Sequence, residues 1–335
     1  MIALRAAVAV AAGAVAATAA AAPLFAARPP ALPRPSVFCF YANDAGRGLA
    51  RLQVVVRRIQ VLAPEWYSVD VASATPRGEP EAAALALARD AHVPVWPVIN
   101  TQTGGRSAIA DPGVQARLIA ALSGLADSEG YDGLTLDFEG ISAEQRDAYS
   151  AFVAGLAAAL HAHNRKLAVF VVRRTATGAS SVARAFDWNA LTATADLVLA
   201  SSYSEHWETP GPVATSKGFA AFLTYAHSVS PAKVAPVLGA FGYDWKRGAG
   251  APTPIAASDA AGQGRILGQR TADHGYVATY TRGADVVWYP TAAGLVAEAN
   301  AVRAARMRWL ALFSLGREQP EFWLQPGRTR AARPR

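Results

Sequence analysis

Tyr131-Asp132-Gly133-Leu134-Thr135-Leu136-Asp137-Phe138-Glu139-Gly140 alternates with period two. Leu134, Leu136 and Phe138 face one way, and Gly133, Thr135, Asp137 and Glu139 face the other. The pattern predicts a strand with one apolar face and one face carrying two carboxylates at i and i+2. Holding two acids side by side in a protein interior costs free energy unless they are hydrogen-bonded or one stays protonated. A solvated edge strand would explain the alternation. It would not explain Phe138 and two leucines opposite the acids, with helical segments on both sides. The stretch therefore reads as a catalytic or ligand-binding strand.

The flanking segments are helical by pattern. Upstream, Asp111 can cap a helix with Pro112 in its first turn, and Val114, Leu118, Leu122 and Leu125 share one face. Downstream, Ser142 and Gln145 have capping-box spacing, followed by Tyr149, Phe152, Val153, Leu156 and Leu160 on one face.

The alternation extends in both directions. Strands are predicted at Val37–Tyr41, Trp66–Val69, Val93–Asn100, Lys166–Val172, Ala195–Tyr203, Lys233–Phe241 and Trp309–Leu315. Helices are predicted at Leu49–Ile59, Pro80–Asp90, Val182–Thr192, Gly218–Val229 and Thr291–Met307. Pro94 and Pro97 should kink the third strand. A polar, Gly/Pro-rich insertion after strand seven holds two short strand-like pieces, Tyr276–Tyr280 and Asp285–Tyr289. Eight strands, each but the last followed by a helix, predict a parallel sheet of the α/β class. Their number fits a single-domain (β/α)8 TIM barrel better than an open doubly wound sheet, whose glycine fingerprint is missing after the first strand. In such a barrel Glu139 sits at the C-terminal end of strand four, where catalytic residues belong.

Composition bounds the remainder. The chain has 335 residues, 52% hydrophobic and 17% charged, enough to bury a large core. Residues 1–27 carry one cation, Arg5, before an Ala/Val run and small residues, and read as an export signal that is cleaved or tethers weakly. No other run is long and apolar enough to span a membrane. Residues 28–35 form a Pro-rich linker, 36–325 the barrel, and 326–335 a basic tail. The single cysteine, Cys39, rules out an internal disulfide and reads as a buried small hydrophobe. The net charge of +7 is partly the tail Arg328, Arg330, Arg333 and Arg335, which reads as a disordered solubilising tail ahead of an attraction to an anionic envelope polymer or lipid surface, and nothing suggests nucleic-acid readout. A secreted, periplasmic or envelope-associated monomer is expected.

Several chemistries lack their residues. There is no His-Glu-x-x-His motif and the six histidines are scattered, so neither a metal nor another cofactor is expected. No Gly-x-Ser-x-Gly elbow or phosphate loop occurs. What remains is carboxylate chemistry beside aromatics at successive strand ends: Trp66, Tyr67, Tyr203, Trp207, Tyr243, Trp245 and Phe313, with Asn100 after strand three. Aromatic faces stack on sugar C–H faces while polar groups bond the hydroxyls.

Asp132 to Glu139 resembles the strand-four signature of glycoside hydrolase family 18, Asp-Gly-x-x-x-Asp-x-Glu. Further similarities follow in order: Pro97–Asn100, Tyr203-Ser204-Glu205-His206-Trp207, Leu238–Trp245 and Leu312–Pro320. They resemble the subgroup containing spore-cortex-lytic N-acetylglucosaminidases and exported bacterial chitinase-like proteins. The resemblance implies substrate-assisted retaining hydrolysis of a β-1,4 bond in an amino-sugar polysaccharide, chitin-like or peptidoglycan. It implies Glu139 as acid and base, Asp137 as its helper on the acetamide, and Tyr203 as a hydrogen-bond donor to the acetamide oxygen. Asp132, Thr135, Trp66, Asn100, Ser204, Glu205, Trp207, Tyr243, Trp245 and Phe313 are the implied substrate-binding positions. Thr135, Ser204, Phe313 and Gln319 depart from the family pattern, standing for aspartate, aspartate, tryptophan and aspartate. A lectin-like barrel with little turnover is the alternative reading.

Overall fold

The alternation at 131–140 marks two layers of core. In the computed structural model, which describes residues 34–101 and 106–324, Leu134, Leu136 and Phe138 lie in the apolar layer between sheet and helices. Phe138 stacks on Phe152 at 5.6 Å between ring centroids. Thr135 and Asp137 point inward.

Among the described residues eight strands of a ten-stranded sheet form the barrel wall: β1 Ser36–Tyr41, β2 Val61–Pro64, β3 Val98–Thr101, β4 Gly133–Asp137, β5 Lys166–Val171, β6 Leu197–Ser201, β7 Val234–Gly239 and β8 Trp309–Leu315. Consecutive strands pair in parallel from β3 to β8, β8 pairs with β1, and β1 with β2. An isolated Leu62–Val95 bridge joins β2 to the approach of β3, completing the circuit. The interior is filled from the strands by side chains such as Phe38, Phe40, Ala63, Val98, Phe170, Leu199, Val237 and Ala311. This is the packed core of a (β/α)8 barrel rather than a pore. Gly133 lets β4 approach β5, because a Cβ there would lie 2.5 Å from the Lys166 carbonyl oxygen.

The expected caps are present. The Asp111 carboxylate accepts from Gly113 N at 2.7 Å and Val114 N at 3.3 Å, opening the helix Pro112–Glu129. Ser142 N donates to Gln145 Oε1 at 3.0 Å ahead of the helix Arg146–Ala162.

Three predicted elements are corrected. The second barrel strand is Val61–Pro64, not Trp66–Val69. Tyr67–Asp70 continues beyond it, pairing in parallel with β3 and antiparallel with Thr75–Gly78. Pro64 and the Trp66 N–H bond to its carbonyl break the strand. Pairing of the third strand begins at Val98, after both prolines, apart from the Val95 bridge. The segment predicted as one helix from Val182 divides into a 3-10 turn, Val182–Ala185, and the helix Trp188–Thr194, which Asp187 caps through Asn189 N and Ala190 N.

The insertion after β7 is an antiparallel sheet of Phe241–Trp245, Thr253–Ala256, Arg270–Ala272, Val277–Arg282 and Asp285–Pro290, with the helix Ala257–Leu267 packed on it. The Ala- and Gly-rich helix carries no strong apolar stripe, so its period is faint in sequence. The expected signal peptide at 1–27, most of the linker and the tail at 326–335 lie outside the described residues. Among the described residues no helix is long and apolar enough to cross a membrane.

Candidate active site

β4 delivers Asp137 at its last position and Glu139 two residues on, at the C-terminal mouth. Both line a cleft of about 1010 Å3 together with Phe170, Arg173, Tyr203, Ser204, Glu205, Trp207, Tyr243 and Phe313. Asp137 is half-buried while Glu139 is exposed to the cleft. The Oδ1 atom of Asp137 is buried with no hydrogen-bond partner among the described residues. Burial, then the charges of Glu139 and Glu65, push the Asp137 carboxyl up to about 8. Two acids on one strand end therefore share less than two full charges at neutral pH.

Tyr203 follows β6, its ring 5.0 Å from Phe241 and 6.1 Å from Phe313. Gly239 makes room for it, since a Cβ there would lie 2.9 Å from the Tyr203 ring. Burial, then the charge of Asp137, holds the Tyr203 phenol well above its ordinary range, so it stays a proton donor. Phe313 packs at 5.3 Å on Phe40 and forms the apolar floor. Ser204, at a φ of 62°, places its hydroxyl 2.9 Å from the Tyr243 hydroxyl. Trp207 is 47% exposed, edge-on to Tyr243 at 5.2 Å, a free aromatic face at the rim.

Glu205 is held in place. Arg173 Nη1 lies 3.1 Å from its Oε1, and the Thr215 hydroxyl donates to its Oε2 at 2.8 Å.

Five expected substrate contacts lie elsewhere. Asp132 stands at the opposite, N-terminal end of β4, where its Oδ2 accepts from Val95 N at 3.0 Å. The Thr135 hydroxyl is fully buried and donates to the Trp96 carbonyl at 2.9 Å, one layer below the mouth. Trp66 packs 6.3 Å from Tyr131 against the outer core, because the break after Pro64 turns it from the cleft. Trp245 sits behind Tyr243 at 5.6 Å and donates through Nε1 to the Trp207 carbonyl. Asn100 is in register with Asp137 on β3 but outside the lining.

The sequence reading missed Glu65. It directly follows β2, and its N–H donates to the Tyr41 carbonyl at 2.9 Å. Burial raises its carboxyl to about 7, with the Arg317 guanidinium opposing and Asp44 adding. The misplaced second strand concealed it: once β2 ends at Pro64, Glu65 becomes a strand-end acid. Among the described residues no group of three or more His, Cys, Asp and Glu side chains is arranged to hold a metal ion.

No family model matches the chain. The crystal structure of a chitinase from Chromobacterium violaceum ATCC 12472 superposes with a TM-score of 0.78 at 27% identity, over 87% of this chain and 97% of that one. The Bacillus cereus spore cortex-lytic enzyme SleL shares the fold with a TM-score of 0.76 at 18% identity, over 88% of this chain and 74% of that one. The uncharacterized glycosylase YvbX of Bacillus subtilis (strain 168) is 25% identical over 213 residues, 59% of this chain and 61% of YvbX. The chain thus spans about three-fifths of that curated relative's length. In sequence and fold it is similar to the chitinase-like barrels that Asp132–Glu139 resembles.

Proposed function

We propose that this chain is an exported glycoside hydrolase that cleaves β-1,4 bonds of an N-acetylglucosamine-containing polymer by substrate-assisted retaining catalysis. One observation carries the reading. The two cleft acids of β4 project together from one strand end, and the buried Asp137 Oδ1 has no hydrogen-bond partner among the described residues. Carboxylates so placed cannot flank an anomeric carbon from opposite faces, as an ordinary nucleophile and acid must. Glu205 is tied to Arg173 and Thr215 and is poorly placed to attack.

The substrate's own acetamide oxygen then attacks the anomeric carbon. Glu139 gives its proton to the departing glycosidic oxygen and later takes one from the incoming water. The proton that the two acids share resides on Glu139 in this step, so Asp137 Oδ1 accepts the acetamide N–H as a carboxylate, orienting the carbonyl and countering the positive charge of the oxazolinium ion. Tyr203 donates to the acetamide oxygen from the opposite side, and Trp207 and Tyr243 offer stacking faces to flanking sugars. The chitinase and glycosylase names of the relatives support the reaction class. The composition of residues 1–27 supports export.

A binding-only barrel is the second reading. Ser204 favours it, because its hydroxyl meets Tyr243 and offers the sugar no carboxylate. Proton NMR of the first-formed product and inhibition by a thiazoline analogue of N-acetylglucosamine separate the possibilities. A β-anomer with inhibition is expected. An α-anomer, or indifference to the thiazoline, would overturn substrate assistance, and binding without any product would select the lectin-like barrel.

A further inference from the structure

Among the described residues three guanidinium groups line the cleft, and two are neutralised in place. Arg173 pairs with Glu205 and also donates to the Gly218 carbonyl at 3.3 Å. Arg317 lies 2.5 Å and 2.8 Å through Nη2 and Nε from Asp44 Oδ2. Arg174 differs: among the described residues no carboxylate lies within ion-pair distance of it. Its guanidinium carbon sits 5.4 Å from the centre of the Tyr225 ring, and its Nε is buried without a hydrogen-bond partner. The backbone beneath it is fixed. Arg174 opens a two-stranded hairpin with Gly178–Ala179, and the preceding Arg173 N donates to Ser201 Oγ at 3.0 Å.

A half-buried guanidinium on the cleft wall, held by a ring face and without a carboxylate partner among the described residues, is preorganised for a planar anion. A neutral polymer would leave Arg174 without a counter-charge.

We propose that Arg174 is a specificity-determining residue that pairs with a carboxylate carried by the saccharide, so that the preferred substrate is an anionic amino-sugar glycan rather than an uncharged one. The inference rests on the proposed reading of the cleft as a glycan site. It goes beyond that reading by naming the charge of the substrate and the residue that selects it.

The test uses the full chain carrying Glu139→Gln, so that binding is measured without turnover. Two probes are compared by calorimetry: short peptide-free glycans of alternating N-acetylglucosamine and N-acetylmuramic acid, and the same glycans with their lactyl carboxylates converted to methylamides. A charge-assisted pair predicts about tenfold tighter binding of the carboxylate form. Adding Arg174→Gln should shrink that ratio several-fold, and raising salt should do the same in the parent. Equal affinity for the two probes, or a ratio that survives Arg174→Gln, would overturn the proposal. The comparison between probes needs no Arg174 variant, so a folding defect in that variant leaves it decisive. Wild-type hydrolysis of either probe is scored separately. Charge-selective binding without hydrolysis would sink the hydrolase reading and leave this one standing.

Discussion

Replacing Asp137 with Asn should stabilise the protein while removing its activity, with a pH signature that identifies the cause. The Asp137 carboxyl is pushed from its ordinary 3.8 to about 8 by burial and by the charges of Glu139 and Glu65. Below pH 3.8 it is neutral both folded and unfolded, so it contributes nothing to the pH dependence. Between that pH and about 8 the unfolded chain ionises it and the folded chain resists, so stability falls as pH rises. At ~1.4 kcal/mol per pH unit the full span amounts to roughly 6 kcal/mol. Solvent reaching a half-buried group, and the two neighbouring acids that take up part of the charge when one is removed, cut this to roughly 2–3 kcal/mol. For a barrel of this size that is about 5 °C in Tm. Scanning calorimetry of wild type and Asp137→Asn from pH 4 to pH 9 reads the difference directly. The Tm curves should converge near pH 4 and separate progressively to pH 8, with the variant higher. A constant offset across the range, or a less stable variant at pH 8, would refute the burial of an acid held for function.

Tyr203→Phe should reduce kcat by roughly 10²- to 10³-fold with little change in KM, as expected for a donor that acts on developing charge. Steady-state kinetics on a chromogenic N-acetylglucosamine oligomer would check it. Glu298, 3% exposed, is raised to about 8 by burial, with a hydrogen bond from Tyr276 opposing. Glu298→Gln should therefore raise Tm increasingly between about pH 4.5 and 8, in the same calorimetric scan and for the same reason.

The sequence was most informative where alternation is strict. At 131–140 the period of two separates helix-facing leucines from inward acids, and the structure has the same division. Periodicity reports which face a side chain takes but not its height along the barrel. Asp132 shows the consequence. It lies five residues before Asp137, ~16 Å down the strand at the rise of a β-residue, and serves Val95 at the other end. Thr135 has the inward face but sits one layer too low, where the Trp96 carbonyl takes its hydroxyl.

Prolines set the second kind of error. Pro64 ends β2 before Trp66, so an expected mouth aromatic packs outside and Glu65, unremarkable as sequence, takes the strand end. Contacts such as Ser204 to Tyr243 join residues 39 apart, and only the closed barrel brings them together. The same holds for the ring that carries Arg174. Tyr225 sits on a helix beyond the next strand, and no spacing rule connects the two.

The central claim is that Glu139 moves the proton in hydrolysis of an N-acetylglucosamine polymer. Its most direct test is reducing-end release, with products identified by mass spectrometry, from chitin oligomers and purified peptidoglycan incubated with wild type and with Glu139→Gln. The account predicts oligosaccharides ending in a reducing N-acetylglucosamine from at least one of the two with wild type, and at least a hundredfold less (~10² or more for a lost general acid) with the variant. Equal release by the two proteins would contradict it.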